Sequence, residues 1–121
     1  METDSERTGI INDIVNWAKI HRFSTVKANS EGFEKPTSFS QPGEGDTFIP
    51  DVTAVKLGAK NYFEVALKTD DQERTIRKWK LLSTLAEMKN GTLYLFAPRG
   101  HKAFASRIVD KRNLNAEVIA I

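Results

Sequence analysis

At 121 residues, the chain has room for one domain with a single hydrophobic core. Its 40% hydrophobic and 28% charged residues are typical of a globular protein, and the absence of cysteine excludes a disulfide framework, a thiolate zinc site and a cysteine nucleophile. The net charge of +2 is too small to indicate nucleic-acid binding by itself.

The beginning of the chain gives no sign of a targeting segment. The stretch METDSERTG is polar and acidic, and no apolar run approaches the roughly 20 residues of a membrane span. We therefore expect a cytoplasmic protein with no membrane partner, in which residues 1–121 form one domain.

The first elements in chain order are predicted to be a helix, a short strand and a long loop. Residues 4–20 place isoleucines, a tryptophan and an alanine at helical spacing, which predicts an amphipathic helix. Residues 23–29 alternate imperfectly between apolar and polar side chains, which predicts a strand. Residues 30–47 contain two prolines, three glycines and many small polar residues, which predict a flexible loop.

A hairpin and a helix–strand–helix–strand series are predicted next. Two β-rich runs between residues 48 and 69 flank a turn over residues 58–61, the pattern of a hairpin. The remaining predicted elements are a helix over 71–89, a strand over 92–97, a helix over 100–113 and a strand over 116–121. The order αβββαβαβ predicts an α/β fold with a mixed sheet and helices on both faces, because helices separate the last three strands and serve as crossovers.

Two acids in the predicted hairpin form a candidate metal site. If Asp51 and Glu64 face each other across neighbouring strands, their carboxylates converge on one divalent ion, with the Val65 carbonyl as a third ligand. Strand alternation also places Lys68 on the same face as Glu64. Such a site hydrolyses phosphodiester bonds when another group orients a water molecule. The structural alternative is that Asp51 begins a strand and Lys68 is solvated, whereas an unpaired buried Glu64 would be costly.

The spacing of these residues resembles the PD-(D/E)XK nuclease superfamily over essentially the whole chain. Pro50-Asp51 is followed thirteen residues later by Glu64 and then by a lysine, between two helices. The resemblance implies a restriction-endonuclease-like fold and a metal-dependent DNA endonuclease, with magnesium or manganese on the two acids and the lysine at the attacking water. Many members also carry an acid on the first helix, for which Asp13 is the better candidate and Glu6 the weaker.

The position of the lysine departs from the family pattern. The pattern places lysine two residues after the acid, where this chain has Ala66. Lys68 lies four residues after Glu64, or about 13 Å along a regular strand instead of about 7 Å, so it reaches the metal only by folding back or through a bulge. Lys78 on the following helix is the alternative lysine, and an inactive site is the third hypothesis.

Basic residues near the predicted strand ends are candidates for contact with DNA. Arg74 opens the long helix, and Arg99 and His101 follow the buried strand where loops gather in such folds. Each is also explained as a solvated or capping side chain. Cutting both strands of a duplex with one site per chain would favour a homodimer. The rival hypotheses are an inactive member of the fold that binds nucleic acid or a protein, and a structural fragment with neither role.

Overall fold

The computed structural model describes residues 4–40, 45 and 47–121. None of the helices in these ranges is long and apolar enough to cross a membrane. In chain order the elements are α1 (Asp4–Ile20), β1 (Ser24–Ala28), β2 (Phe39–Ser40), β3 (Thr47–Phe48), β4 (Val52–Lys56), β5 (Ala59–Val65), α2 (Gln72–Met88), β6 (Leu93–Ala97), α3 (Lys102–Arg112) and β7 (Ala116–Ala120).

Five of the strands form one mixed sheet in the order β1-β4-β5-β6-β7. β4 pairs antiparallel with both β1 and β5, whereas β5, β6 and β7 run parallel to one another. Parallel neighbours need a crossover connection, and α2 and α3 supply the two crossovers. The predicted α/β class with a mixed sheet is therefore confirmed.

The sheet separates two hydrophobic cores. On one face, α1 buries Ile14 in a cluster that includes Phe63 of β5. On the other face, α2 and α3 bury Trp79 and Phe104 in a cluster that includes Leu95 of β6. Consecutive residues of a strand point to opposite faces, so the central strands contribute to both cores and become apolar on both sides. Helices cover both faces of the sheet, as predicted.

The hairpin between β4 and β5 turns earlier than predicted. Lys56 pairs with Ala59, so Leu57 and Gly58 alone form the turn. Their φ angles are 51° and 81°, and positive φ at both positions is typical of a type I′ turn. The turn predicted over residues 58–61 is wrong, because the right-handed twist of the strands favours this two-residue connection and Ala59 already begins β5.

The segment 30–47, predicted to be a flexible loop, contains regular structure. β2 and β3 pair antiparallel, with Phe39 opposite Phe48. Phe48 is fully buried, so burial of an aromatic side chain overrides the turn-rich composition around it. Residues 41–44 and 46 of the predicted loop lie outside the described residues.

Helix α2 ends at Met88, and the stop that the sequence predicts at Asn90-Gly91 follows the C-cap residue Lys89. The Gly91 N–H donates to the Ala86 carbonyl at 2.8 Å and the Asn90 N–H to the Glu87 carbonyl at 3.2 Å, with Asn90 at φ 60°. This is the hydrogen-bond pattern of a Schellman motif. A Cβ on Gly91 would lie 2.6 Å from the Lys60 carbonyl carbon and closer still to its oxygen, so glycine lets the end of α2 approach β5.

Candidate functional site

Asp51 and Glu64 lie side by side at the edge where β4 begins. Val52 pairs with Phe63, so the next position along the ladder places Asp51 opposite Glu64. The Asp51 N–H donates to Glu64 Oε2 at 2.7 Å, and the Val65 N–H donates to Asp51 Oδ2 at 2.8 Å. Each acid is 1% exposed. The structure therefore brings together the two acids that strand alternation predicts to be neighbours.

The Val65 peptide faces the same edge of β5. The Ala66 N–H donates to the Phe96 carbonyl on β6 at 2.9 Å, and alternate residues of a strand direct their backbone groups to opposite neighbours. The N–H and the carbonyl of Val65 therefore point away from β6, towards the edge where the N–H donates to Asp51 Oδ2. The predicted third ligand lies on the same edge as both carboxylates.

Two cations pair with the two acids. Nη2 of Arg7, on α1, lies 2.6 Å from Asp51 Oδ1 and 2.7 Å from Oδ2. Nζ of Lys78, on α2, lies 3.0 Å from Glu64 Oε1. The side chain of Lys78 is 12% exposed and that of Arg7 31% exposed. Buried carboxylates are tolerated when they are paired and hydrogen-bonded, so these four groups form one charge-balanced ion-pair network.

Burial raises the pKa of the Glu64 carboxyl to about 7, and the neighbouring Asp51 charge raises it as well. Lys78, Arg7 and the hydrogen bond from the Asp51 backbone act in the opposite direction and favour the ionised form. Burial and the Asp51 charge outweigh these contacts, so the pKa of Glu64 lies above that of an ordinary glutamate. Such perturbed acids are frequent at functional sites, although buried ion pairs also produce them.

The network opens into a cavity of about 350 Å³ between β5 and α2. Its polar lining includes Arg7, Glu64, Thr69, Arg74, Thr75 and Lys78. Cationic side chains and hydroxyl groups bind phosphate oxygens, and a carboxylate at the same cavity is suited to a cation. The cavity therefore offers groups suited to a phosphate beside a buried acid.

Lys68 lines a different cavity. Its side chain is exposed and borders a neighbouring cavity of about 710 Å³, while its backbone N–H donates to His101 Nδ1 at 2.9 Å. Ala66, at the family's usual lysine position, is completely buried. The alternative lysine predicted on the following helix, Lys78, is the one that contacts Glu64.

Arg7 was not identified from the sequence, although a signal for it exists. It precedes Ile10 by three residues and Ile14 by seven, so it continues the buried stripe of α1. A basic residue at such a position is a candidate partner for a buried acid. The predicted first-helix acids, Asp13 and Glu6, are exposed on α1, and it is Arg7 that α1 places against Asp51.

The residues predicted to contact DNA lie in three different settings. Arg74 lines the smaller cavity, with its guanidinium carbon 4.8 Å from the centre of the Phe48 ring and Nη2 3.3 Å from the Thr47 carbonyl oxygen. Arg99 is exposed in the turn between β6 and α3. His101 is half-buried and accepts the Lys68 N–H, so part of its hydrogen-bonding capacity is used within the protein.

The site offers oxygen donors of the kind that magnesium and manganese bind. Within residues 4–40, 45 and 47–121, no three histidine or acidic side chains cluster closely enough to hold a metal ion. Magnesium, however, is commonly held by one or two carboxylates with water completing its shell, and manganese accepts the same hard ligands. Asp51, Glu64 and the Val65 carbonyl provide such a set, provided that Arg7 yields its position at Asp51.

Comparisons with protein-family models, with curated proteins and with solved structures each gave no match to this chain.

Proposed function

We propose that the domain is a metal-dependent DNA endonuclease of the PD-(D/E)XK type with a restriction-endonuclease-like fold. The observation that supports this most strongly is the buried pair of Asp51 and Glu64, each hydrogen-bonded to the backbone of the other's strand. Glu64 of this pair lines a cavity together with the cationic side chains of Arg7, Arg74 and Lys78. A polyanionic substrate and a divalent cation are the two species that this combination of charges binds.

The roles follow from the positions of the side chains. Asp51, Glu64 and the Val65 carbonyl would hold magnesium or manganese. When bound, such an ion lowers the pKa of a water molecule and stabilises the charge that develops on a phosphoryl oxygen. Lys78 takes the part of the family's lysine, because its Nζ is 3.0 Å from Glu64 Oε1 at the same cavity. Arg74 lines the same cavity and would bind a phosphate oxygen of the substrate.

Cleavage of supercoiled plasmid DNA tests the proposal. The wild type should nick the plasmid in magnesium or manganese, and Asp51→Asn should abolish nicking because it removes the charge of a ligand while keeping its shape. Lys19→Gln, which removes an exposed charge near the far end of α1, is the matched control and should cleave normally. Linear product from double-strand breaks would indicate two sites acting together, as in a homodimer. A wild type inactive with both metals, or an active Asp51→Asn variant, would exclude the proposal.

A second candidate function is a non-catalytic module that binds nucleic acid or a protein. The contact of Arg7 with both carboxylate oxygens of Asp51 favours it, because an ion-pair network of this kind is satisfied without a metal. This candidate predicts DNA binding that is unaffected by chelation, together with no calorimetric uptake of magnesium. Measuring both quantities on the same preparation distinguishes the two functions.

A further inference from the structure

We propose that a nucleic-acid strand bound at the candidate site continues into the neighbouring larger cavity, where Lys68 and Arg107 contact its phosphates. The inference rests on the proposed function, and it identifies a binding subsite that the family resemblance does not supply. It also gives Lys68 a role in binding the substrate instead of a role in catalysis.

The two cavities adjoin. Thr69 and Asp71 line both of them, so the segment between β5 and α2 forms their shared border. Their volumes, about 350 Å³ and about 710 Å³, each lie in the range of ordinary ligand sites, about 300–1,000 Å³. A ligand that reaches Glu64 in the smaller cavity can therefore extend past Thr69 into the larger one.

Two elements contribute a cation to the larger cavity. Lys68 follows β5, Arg107 belongs to α3, and both side chains are exposed to solvent. The hydrogen bond from the Lys68 N–H to His101 Nδ1 joins the segment after β5 to the residue that precedes α3. Phe104, 6% exposed, anchors α3 in the core beneath the cavity. The fold thus fixes the backbone positions of Lys68 and Arg107 relative to each other.

Two acids also border the larger cavity, and removing the charge of one of them should change nucleic-acid binding in the opposite direction to removing a cation. Asp71 Oδ1 accepts the Arg74 backbone N–H at 3.2 Å as the N-cap of α2, so this carboxylate has a structural task. Asp70 is exposed on the same border and would repel a phosphate. Removing the charge of Asp70 should therefore strengthen binding, whereas removing the charge of Lys68 or Arg107 should weaken it.

A strand fits this distribution of charge better than a single nucleotide. The smaller cavity already has three cations in its lining: Arg7 and Lys78 in ion pairs with the two acids, and Arg74 beside the Thr47 carbonyl. A mononucleotide with its phosphate there has no second phosphate for Lys68 and Arg107. A polynucleotide carries one phosphate per nucleotide and can use the cations of both cavities at once.

Fluorescence anisotropy with a labelled oligothymidylate of about 12 nucleotides tests the inference in a buffer containing EDTA. Each phosphate contact on a single strand contributes about 0.7 to the slope of log affinity against log salt, which is about fivefold in affinity at about 0.1 M salt. Lys68→Gln and Arg107→Gln should each weaken binding by that factor, and the double variant should weaken it about 25-fold with a slope lower by about 1.4. Asp70→Asn should bind more tightly than the wild type.

Arg112→Gln is the matched control, because Arg112 is exposed on the same helix but borders a different cavity. Thymidine monophosphate is the second control ligand, and its binding should be unchanged in the Lys68 and Arg107 variants. A double variant that binds the oligonucleotide as tightly as Arg112→Gln does, or a wild type that does not bind it at low salt, would overturn the inference. Equal losses for oligonucleotide and mononucleotide would also overturn it.

Magnesium titration of the same proteins keeps this inference separate from the proposed function. If oligonucleotide binding depends on Lys68 and Arg107 but the protein takes up no metal, the nuclease proposal is rejected and the subsite in the larger cavity is retained. If the protein takes up metal but the double variant binds the oligonucleotide normally, the nuclease proposal is retained and the subsite in the larger cavity is rejected.

Discussion

Replacing Arg7 by glutamine should destabilise the protein and at the same time tighten its binding of magnesium. In the wild type, Arg7 Nη2 contacts both oxygens of Asp51, an acid that is 1% exposed. Arg7 itself is 31% exposed, so the ion pair lies between a surface pair, worth up to about 1 kcal/mol, and a buried pair, whose disruption costs about 3–5 kcal/mol. We expect a loss of about 2 kcal/mol in the free energy of unfolding.

The same contact would oppose the proposed metal ion at Asp51. To bind Asp51, magnesium must displace the Arg7 guanidinium from the carboxylate. The Arg7→Gln substitution removes this competitor and should lower the Kd for magnesium by about 30-fold, the factor that corresponds to about 2 kcal/mol. Urea denaturation without metal measures the first effect, and isothermal titration calorimetry measures the second. Lys19→Gln, an equal change of charge on the same helix, should alter neither quantity. A destabilised Arg7→Gln variant whose magnesium affinity is unchanged or weaker would refute the reasoning that cation and metal compete for Asp51.

Three further predictions concern the lysines, the pH dependence and the end of α2. In the plasmid assay, Lys78→Ala should lower the cleavage rate by about 100-fold or more at saturating DNA, whereas Lys68→Ala should mainly weaken DNA binding; equal loss of rate at saturation in both variants would contradict these assignments. The pKa of Glu64 is raised above its ordinary value of 4.5, so the folded protein holds this proton more strongly than the unfolded chain. The stabilisation associated with this proton is complete below the pKa that Glu64 has in the unfolded chain, and it is lost as pH rises through the pKa that Glu64 has in the folded protein. The wild type should therefore lose stability relative to Glu64→Gln between about pH 5 and about pH 8 in urea titrations, and a parallel pair of curves would disprove the shift. Gly91→Ala should destabilise the fold by about 1–3 kcal/mol, because its Cβ would overlap the Lys60 carbonyl; a neutral result in urea denaturation would show that this approach is not tight.

The parts of the fold that follow from the sequence are those with strong periodicity. The helix predicted over residues 71–89 is α2, and its stop at Asn90-Gly91 appears as a hydrogen-bonded cap. The apolar run before Pro98 is the buried strand β6. The helix follows from a long stretch of helical spacing, and the strand follows from a short apolar run that proline ends.

The errors in the fold arise where two patterns compete. Gly58 suggested a turn that extends towards residue 61, but the strands pair up to Lys56 and Ala59 and leave room for a two-residue turn only. The polar composition of residues 30–47 gives no sign of the pairing between β2 and β3. In that pairing Phe39 lies opposite Phe48, a buried residue just beyond the segment. Long-range burial of this kind has no local signature.

The candidate site was predicted in part. Strand alternation and hairpin pairing place Asp51 beside Glu64, since parity is a local property of strands. The cations that complete the network come from the two helices that cover opposite faces of the sheet, and their approach is a property of the tertiary structure. The sequence indicates Lys78 as an alternative lysine because it borders the apolar face of its helix. Arg7 lies 44 residues from its partner Asp51, so no local pattern indicates that they pair.

Magnesium titration by calorimetry, on the wild type and on Asp51→Asn, tests the central claim most directly. If Asp51 and Glu64 form a metal site, the wild type binds magnesium and the variant does not, while both proteins retain the same circular dichroism spectrum. A wild type that takes up neither magnesium nor manganese at millimolar concentration, or a variant that binds as well as the wild type, would contradict the account.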